Sequence, residues 1–168
     1  MKIPVNLNGE KTIFDSTPDE MLMKVLNKNK CPSVKCGCQK GFCGACAVLV
    51  NKKCIASCKM PVGFVKDQQI ITLEYFSKTE EYQHIMEGFA KAGLKLCGYC
   101  NAGKIFSAYE IIKMNKIPTK QEITNSVKDL SPCCTDVESL VNGIIYAIQI
   151  HNSGISKKIK RSMNFGNN

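Results

Sequence analysis

The most constraining feature of the sequence is a run of four cysteines, Cys38, Cys43, Cys46 and Cys58, separated by four, two and eleven residues. In plant-type 2Fe-2S sites, three thiolates with this spacing lie on one loop and the fourth comes from farther along the chain. Gly37, Gly41 and Gly44 lie beside or between the first three cysteines, and glycine alone adopts tight, positive-φ backbone at little cost. The pattern predicts a loop that wraps a 2Fe-2S cluster, with Cys58 arriving from a later strand.

A second set of cysteines lies in the C-terminal half. It consists of Cys97, Cys100, Cys133 and Cys134. Two residues separate the first pair, 32 residues lie between Cys100 and Cys133, and the last two cysteines are adjacent. Four thiolates suit a second 2Fe-2S cluster, but they also suit a structural zinc ion. The spacing favours the cluster without excluding zinc at this site, whereas the glycine loop disfavours zinc at the first.

Length and cysteine usage bound the class of protein. A chain of 168 residues can bury one good core or two small ones, and two cysteine sets favour two. No apolar run approaches the roughly 18 residues of a membrane span, and the start at Met1 does not look like a signal peptide. Eleven cysteines, an odd number, fit metal binding in a reducing cytoplasm better than a disulfide scaffold. The three outside the two sets, Cys31, Cys36 and Cys54, are expected to be structural, as small buried hydrophobic residues.

The formal charge of +9 would suggest nucleic-acid binding. The charge of bound metal clusters makes this net charge smaller. A core of two ferric ions and two sulfides carries +2, so four thiolates make each oxidised site −2, and two sites bring the chain to about +5. The basic residues are 22 lysines and the single Arg161, although arginine is the usual residue for bidentate phosphate and base contacts. A solvated lysine-rich surface is the better interpretation.

Residues 1–77 carry strand signals. Residues 2–7 alternate apolar and polar, Asn8-Gly9 is a strong hairpin turn, and residues 11–14 can return as a second strand. Pro18 can open a helix capped by Asp15 or Thr17. Further strands are predicted at 47–50, 53–57 and 70–75, so we expect a small mixed sheet crossed by one helix.

The pattern becomes helical after residue 77. Four helices are predicted, near residues 82–89 with Thr79 or Ser77 as cap, 103–115, 119–127 and 135–150. Together they suggest a small bundle. Cys97 and Cys100 would then precede the second of these helices, and Cys133 and Cys134 the fourth, so that two helix N-termini would face an anionic site.

Three strings resemble a known family. They are Lys35-Cys-Gly-Cys-Gln-Lys-Gly-Phe-Cys-Gly-Ala-Cys46, Cys97-Gly-Tyr-Cys-Asn-Ala-Gly103 and Cys134-Thr135, with Gly143 on the following helix. Over residues 2–152 the chain is similar to the two-cluster iron–sulfur subunit of the molybdenum hydroxylases, which include xanthine dehydrogenase, aldehyde oxidoreductase and carbon monoxide dehydrogenase. The resemblance implies an α+β chain: a β-grasp ferredoxin-like domain at 1–77, a four-helix 2Fe-2S-binding domain at 78–152 and a basic tail at 153–168.

Two departures from the family pattern lie near the second cysteine set. The family closes this site with Cys-x-Cys, so aligning on Cys134-Thr135 puts Pro132 at the earlier ligand position. We predict that Cys133 supplies the displaced ligand; a non-cysteine ligand or a vacant position is the alternative. The family also has a pterin-contacting glutamine where this chain has Leu96, which puts pterin contact in doubt.

The sequence contains no phosphate-binding glycine loop before a helix and no nucleophile–base pair, so no catalytic residue is predicted. The expected role is electron transfer, and the resemblance implies a large molybdopterin-binding partner subunit and an FAD-binding partner subunit. Leu96 and Pro132 favour the alternative of a free-standing redox carrier; a zinc-stabilised interaction scaffold is the third possibility. Tyr99 is expected to pack in the bundle, and His84 and His151 to be ordinary surface or core residues.

Overall fold

A five-stranded mixed sheet forms the N-terminal part of the molecule. The computed structural model describes residues 1–114, 116–130 and 134–164. Strands β1 (Lys2–Leu7) and β2 (Glu10–Asp15) form the predicted hairpin, and β3 (Ala47–Val50) and β4 (Lys53–Ala56) form another. Strand β5 (Gln69–Ile71) lies between them, parallel to β1 and antiparallel to β3. The strand order is therefore β2-β1-β5-β3-β4.

Helix α1 (Leu22–Lys28) crosses the sheet and closes the first core. It begins four residues later than the predicted start at Pro18, because the backbone before it pairs with residues 60–63. Leu22 N donates to Met60 O at 2.8 Å, and Gly63 N donates to Pro18 O at 2.8 Å. The helix buries one apolar face in the first core, which contains Ile3, Val5, Phe14, Leu22, Val25, Leu26, Val48 and Ile70.

Only the first two residues of the predicted strand at 70–75 lie in a strand. Strand β5 ends at Ile71, and the short helix α2 (Leu73–Phe76) follows. Thr72 ends the strand because its backbone N–H donates to the Asn8 side chain at 2.9 Å rather than to a neighbouring strand. The Glu74 carboxylate accepts from Ser33 N at 2.6 Å and so ties α2 to the segment after α1.

The described residues of the C-terminal part contain four helices: α3 (Glu80–Lys91), α4 (Asn101–Ile112), α5 (Lys120–Val127) and α6 (Val137–Asn164). Thr79 caps α3 as predicted, and Thr119 caps α5 in a capping box with Glu122. Helix α6 continues well beyond the predicted end at residue 150, so much of the predicted basic tail is helical. It packs closely on α3, since a Cβ at Gly88 would lie 2.4 Å from Ala147 N. No helix in the described ranges is long and apolar enough to cross a membrane.

Strand β3 joins the two parts because both of its faces are buried. Val48 and Val50 face the first core, whereas Ala47 and Leu49 belong to the second core with Phe76 and the apolar residues of α3–α6. The alternation of strand side chains produces this division. A polar contact reinforces it: Cys54 N on β4 donates to the Glu110 carboxylate on α4 at 2.7 Å. The sheet and helix α4 are thus fixed against each other.

Candidate metal centres

Three cysteines of the first set, Cys38, Cys43 and Cys46, lie on the irregular loop between α1 and β3. Gln39, Gly41 and Gly44 have positive φ angles of 54°, 92° and 78°, which curl the backbone around the three loop cysteines. Gly37 leaves room for a sulfur, because a Cβ at this position would lie 2.6 Å from Cys43 Sγ. The glycines therefore do what the sequence predicted.

Backbone amides of the cysteines donate hydrogen bonds to neighbouring cysteine sulfurs. These bonds connect Cys38 with Cys43 and Cys46 with Cys58. Cys43 N donates to Cys38 Sγ at 3.4 Å, and Cys38 N donates to Cys43 Sγ at 3.3 Å. Cys58 N donates to Cys46 Sγ at 3.4 Å. Two pairs of thiols with amide donors suit a two-iron cluster, in which each iron takes two thiolates and the sulfurs accept hydrogen bonds.

Cys58 does not come from a strand, so that part of the prediction is wrong. It lies on a single 3₁₀ turn, Ser57–Lys59, directly after β4. Ser57 is fully buried, and its hydroxyl donates to Cys46 O at 2.6 Å. This bond holds the turn against the loop and brings Cys58 next to Cys46.

The thiols of the first set differ in acidity. Burial opposes ionisation of Cys38, but the backbone amides of Cys43, Lys40 and Phe42 outweigh it and lower the pKa of this thiol to about 6. Burial and the neighbouring Cys46 raise the pKa of Cys58 to about 11. Because a metal binds thiolates, it must displace the Cys58 proton on binding.

The second cysteine set also converges. The sulfur atoms of Cys97, Cys100 and Cys134 all lie within 4.8 Å of one another and could hold a metal ion. Cys100 is buried, Cys134 half-buried and Cys97 exposed. Cys133, the other predicted ligand, and Pro132 lie outside the described residues.

Two helix starts position these thiols. Cys100 directly precedes α4, and the loop before it turns at Gly98, which has a φ of 89°. Cys134 lies three residues before α6. The amides at both starts have other partners, however: Gly103 N donates to Gly44 O at 3.0 Å, and Ser139 N donates to the Asp136 carboxylate at 2.8 Å. The prediction of helix amides facing the metal is therefore wrong for these two donors.

A buried lysine lies at the second site, and the sequence interpretation missed it. Lys104 Nζ donates to Cys100 Sγ at 2.9 Å and lies 3.7 Å from Cys134 Sγ. The side chain is 2% exposed. Its position four residues after Cys100 places both on one helix face, and that spacing is the signal that could have distinguished it from the other lysines.

The two candidate centres are in direct backbone contact. A Cβ at Gly103 would lie 2.5 Å from Gly44 Cα, so the loop between Cys43 and Cys46 rests on the first turn of α4. The Tyr99 hydroxyl also donates to Cys36 O across the same junction. Tyr99 is 50% exposed, so the prediction that it packs in the helical core is wrong.

The remaining cysteines are of two kinds. Burial, together with the Glu74 carboxylate at Cys31 and the Glu110 carboxylate at Cys54, raises the thiol pKa to about 11 at Cys31 and to about 12 at Cys54. Both are poorly reactive thiols that pack against the apolar cores, as expected. Cys36 is exposed and accepts from Gln39 Nε2 at 3.0 Å, so the expectation of burial is wrong there.

The two histidines lie together, which their separation of 67 residues concealed. Their Nδ1 atoms are 3.1 Å apart and link α3 to α6.

Leu96 is half-buried against the second core, so at this position the chain has an apolar side chain with packing partners.

Comparison with known proteins covers both centres. The 2Fe-2S iron-sulfur cluster binding domain matches residues 5–70, and the [2Fe-2S] binding domain matches residues 72–145. The chain is 33% identical over 148 residues to the nicotinate dehydrogenase small FeS subunit of Eubacterium barkeri, covering 88% of this chain and 94% of that one. It is 31% identical over 145 residues to the xanthine dehydrogenase iron-sulfur-binding subunit of Escherichia coli O157:H7, covering 85% and 91%.

The fold also resembles a solved structure. A chain of quinoline 2-oxidoreductase from Pseudomonas putida 86 superposes with a TM-score of 0.80 at 25% identity, covering 92% of this chain and 97% of that chain. The sequence matches, the two cysteine centres and the sheet-plus-helix architecture agree with one another. The chain therefore belongs to the family of 2Fe-2S subunits of the molybdenum hydroxylases, as its motifs predicted.

Proposed function

We propose that this chain is the electron-transfer subunit of a molybdopterin-dependent hydroxylase or dehydrogenase. It would relay electrons from a molybdenum–pterin site through its two 2Fe-2S clusters toward FAD, both on partner subunits. The observation that carries the proposal is the contact between Gly44 and Gly103, because it joins the two ligand-bearing segments backbone to backbone. An electron relay needs neighbouring centres, and nothing larger than glycine fits between these segments.

The proposed ligands are Cys38, Cys43, Cys46 and Cys58 for the first cluster and Cys97, Cys100, Cys133 and Cys134 for the second. When bound, each cluster takes up or releases one electron. Support at the first site comes from the space at Gly37 and from the amides that donate to Cys38, Cys43 and Cys46. At the second site it comes from three converging sulfurs.

For the architecture, we propose the division into a ferredoxin-like domain at 1–77, a helical domain at 78–152 and a basic segment at 153–168. The helices α3–α6 would form the four-helix bundle of the second domain. Their shared core of Ile85, Phe89, Ile105, Phe106, Ile123 and Ile144 supports this division.

The proposed partners are a large molybdopterin-binding subunit and an FAD-binding subunit in the cytoplasm, without nucleic acid. Two of the relatives are named as small or iron-sulfur-binding subunits, which supports an assembly of this kind. Affinity purification from the native host at low salt should return both partners. Recovery of this chain alone would instead favour the free-standing carrier, for which Leu96 at the family's glutamine position is the supporting observation.

Metal analysis tests the proposal most directly. Protein purified without oxygen should contain about four iron and four sulfide per chain, with the visible absorption of 2Fe-2S clusters. About two iron would leave only the first centre. Zinc without iron would contradict electron transfer and support the scaffold alternative, which three thiols within 4.8 Å at the second site also suit.

A further inference from the structure

Lys104 is the one charged side chain that is buried among the residues that the structure describes. It lies on α4 between apolar neighbours, with Ile105 and Phe106 next to it in the second core. A lysine almost never occupies such a position without a partner, because loss of hydration opposes the charged form. The groups near its ammonium are therefore expected to stabilise the charge.

Those groups are sulfur atoms of the second centre. The ammonium has three N–H donors and no acceptor, and its nitrogen lies 2.9 Å from Cys100 Sγ and 3.7 Å from Cys134 Sγ. Cys100 directly precedes α4, the helix that carries Lys104, while Cys134 lies three residues before α6. The lysine thus faces thiols from the segments before both helices.

The sulfur atoms of the first centre have hydrogen-bond donors of a different kind. Its sulfur atoms accept from neutral backbone amides, at Cys38, Cys43 and Cys46. A backbone amide contributes a dipole, whereas an ammonium contributes a full positive charge that acts strongly where water is excluded. The two centres therefore differ in the charge next to their ligands.

We propose that Lys104 raises the reduction potential of the second cluster relative to the value that its thiolates and amides alone would give. This inference rests on the proposed function, since it assumes a 2Fe-2S cluster at the second site. With four thiolates, one-electron reduction changes the charge of such a site from −2 to −3. The ammonium stabilises the reduced form more than the oxidised form, so it favours uptake of the electron.

The test is a redox titration of wild-type protein, Lys104→Met and Lys104→Arg, with each reduced cluster followed by electron paramagnetic resonance. The signal that survives in Cys43→Ser protein identifies the second cluster. Methionine keeps an unbranched side chain of similar length and removes the charge, whereas arginine keeps the charge. Lys95→Met is the matched control, because Lys95 is exposed two residues before Cys97 and solvent screens its charge.

Lys104→Met should shift the reduction equilibrium of the second cluster at least about tenfold toward the oxidised form, which is about 59 mV for one electron. The first cluster should stay at its wild-type potential in all variants, Lys104→Arg should recover most of the shift, and Lys95→Met should change little. An unchanged second potential in a Lys104→Met protein that retains about four iron would overturn the proposal.

If the Lys104→Met protein loses its second cluster, a further variant still tests the proposal. Lys104→Gln keeps neutral N–H donors in the same place, so a lowered potential there supports the charge effect and a wild-type potential refutes it. Loss of two iron from the methionine, glutamine and arginine variants alike would refute it too, because Lys104 would then be required for assembly. Wild-type protein without a second cluster would instead contradict the proposed function itself.

Discussion

The two candidate centres are built in contrasting ways. The first takes its four cysteines from 21 consecutive residues, 38–58, on one glycine-rich loop and the 3₁₀ turn that follows β4. The second takes Cys97 and Cys100 from the loop before α4 and Cys134 from the segment before α6, more than 30 residues later. Backbone amides serve the sulfurs of the first, and a buried lysine serves those of the second. A local site depends on loop conformation, whereas a distributed site depends on helix packing.

The largest expected effect comes from removing a ligand of the local site. Cys43→Ser should lose the first cluster, about two of about four iron per chain, and leave the second in place, since Cys43 belongs to the proposed ligand set. Iron analysis and electron paramagnetic resonance measure both outcomes. Cys54→Ser is the control, because burial raises the pKa of that thiol to about 12 and its sulfur is not a proposed ligand. Loss of the first signal in the Cys54 variant would overturn the assignment.

The reciprocal change concerns the distributed site. Cys133→Ala should abolish the second signal and spare the first, because Cys133 is proposed to replace the ligand missing at Pro132. Two adjacent ligands should also give the second cluster an unusual electron paramagnetic resonance spectrum. The double change Pro132→Cys with Cys133→Arg restores the family pattern and should make the spectrum more typical. If Cys133→Ala keeps both clusters unchanged, the fourth ligand lies elsewhere.

The junction between the two centres can be broken without touching a ligand. Alanine at position 103 gains up to about 1 kcal/mol in helix propensity, but its Cβ would lie 2.5 Å from Gly44 Cα. Overpacking against backbone costs about 1–3 kcal/mol, so Gly103→Ala should lower the apparent melting temperature by about 2–4 °C per kcal/mol of net loss. It should also weaken the magnetic interaction between the two reduced clusters, because that interaction falls with distance.

Gly154→Ala is the matched control for this junction. It makes the same substitution inside helix α6, where the new Cβ would meet the His84 ring at an ordinary 3.4 Å. It should leave the melting temperature unchanged or slightly raised. Equal behaviour of the two variants would mean that the Gly44–Gly103 contact does not limit the fold.

The same contrast explains how much could be predicted from the sequence. The loop that brings the first cysteine set together could be predicted because its cysteines and glycines are close in sequence; only the strand assigned to Cys58 was wrong. The hairpin at Asn8-Gly9 and the cap Thr79 are equally local signals, and the structure confirms both. The errors lie where distant segments meet. Residues 60–63 hold Pro18 out of a helix, Asn8 ends β5, and Gly44 takes the Gly103 amide that was expected to face the metal.

Lys104 and the histidine pair were missed for the same reason. A lysine in a lysine-rich chain looks like a surface residue until Cys100 and Cys134 are brought to its nitrogen by the packing of α4 and α6. His84 and His151 have no partner nearby in sequence, and only the pairing of α3 with α6 joins them. Among these contacts, only the four-residue spacing of Cys100 and Lys104 is a signal in the sequence.

The smallest expected effect lies in that histidine pair, away from both cysteine centres. Burial, with Lys113 and His84 nearby, lowers the pKa of His151 from its usual 6.5, although Glu80 and Glu81 partly oppose this. The unfolded chain therefore binds a proton at this side chain more readily than the folded chain does. The contribution of His151 to the free energy of unfolding is fully present above about pH 6.5 and decreases as the pH falls toward the lowered pKa. His151→Gln should reduce the fall in apparent melting temperature between pH 7 and pH 5.5, by an amount equivalent to less than about 1 kcal/mol. Acid damage to the clusters is common to both proteins and cancels in the comparison. An equally steep decline in the variant would show that this side chain does not contribute to the pH dependence of stability.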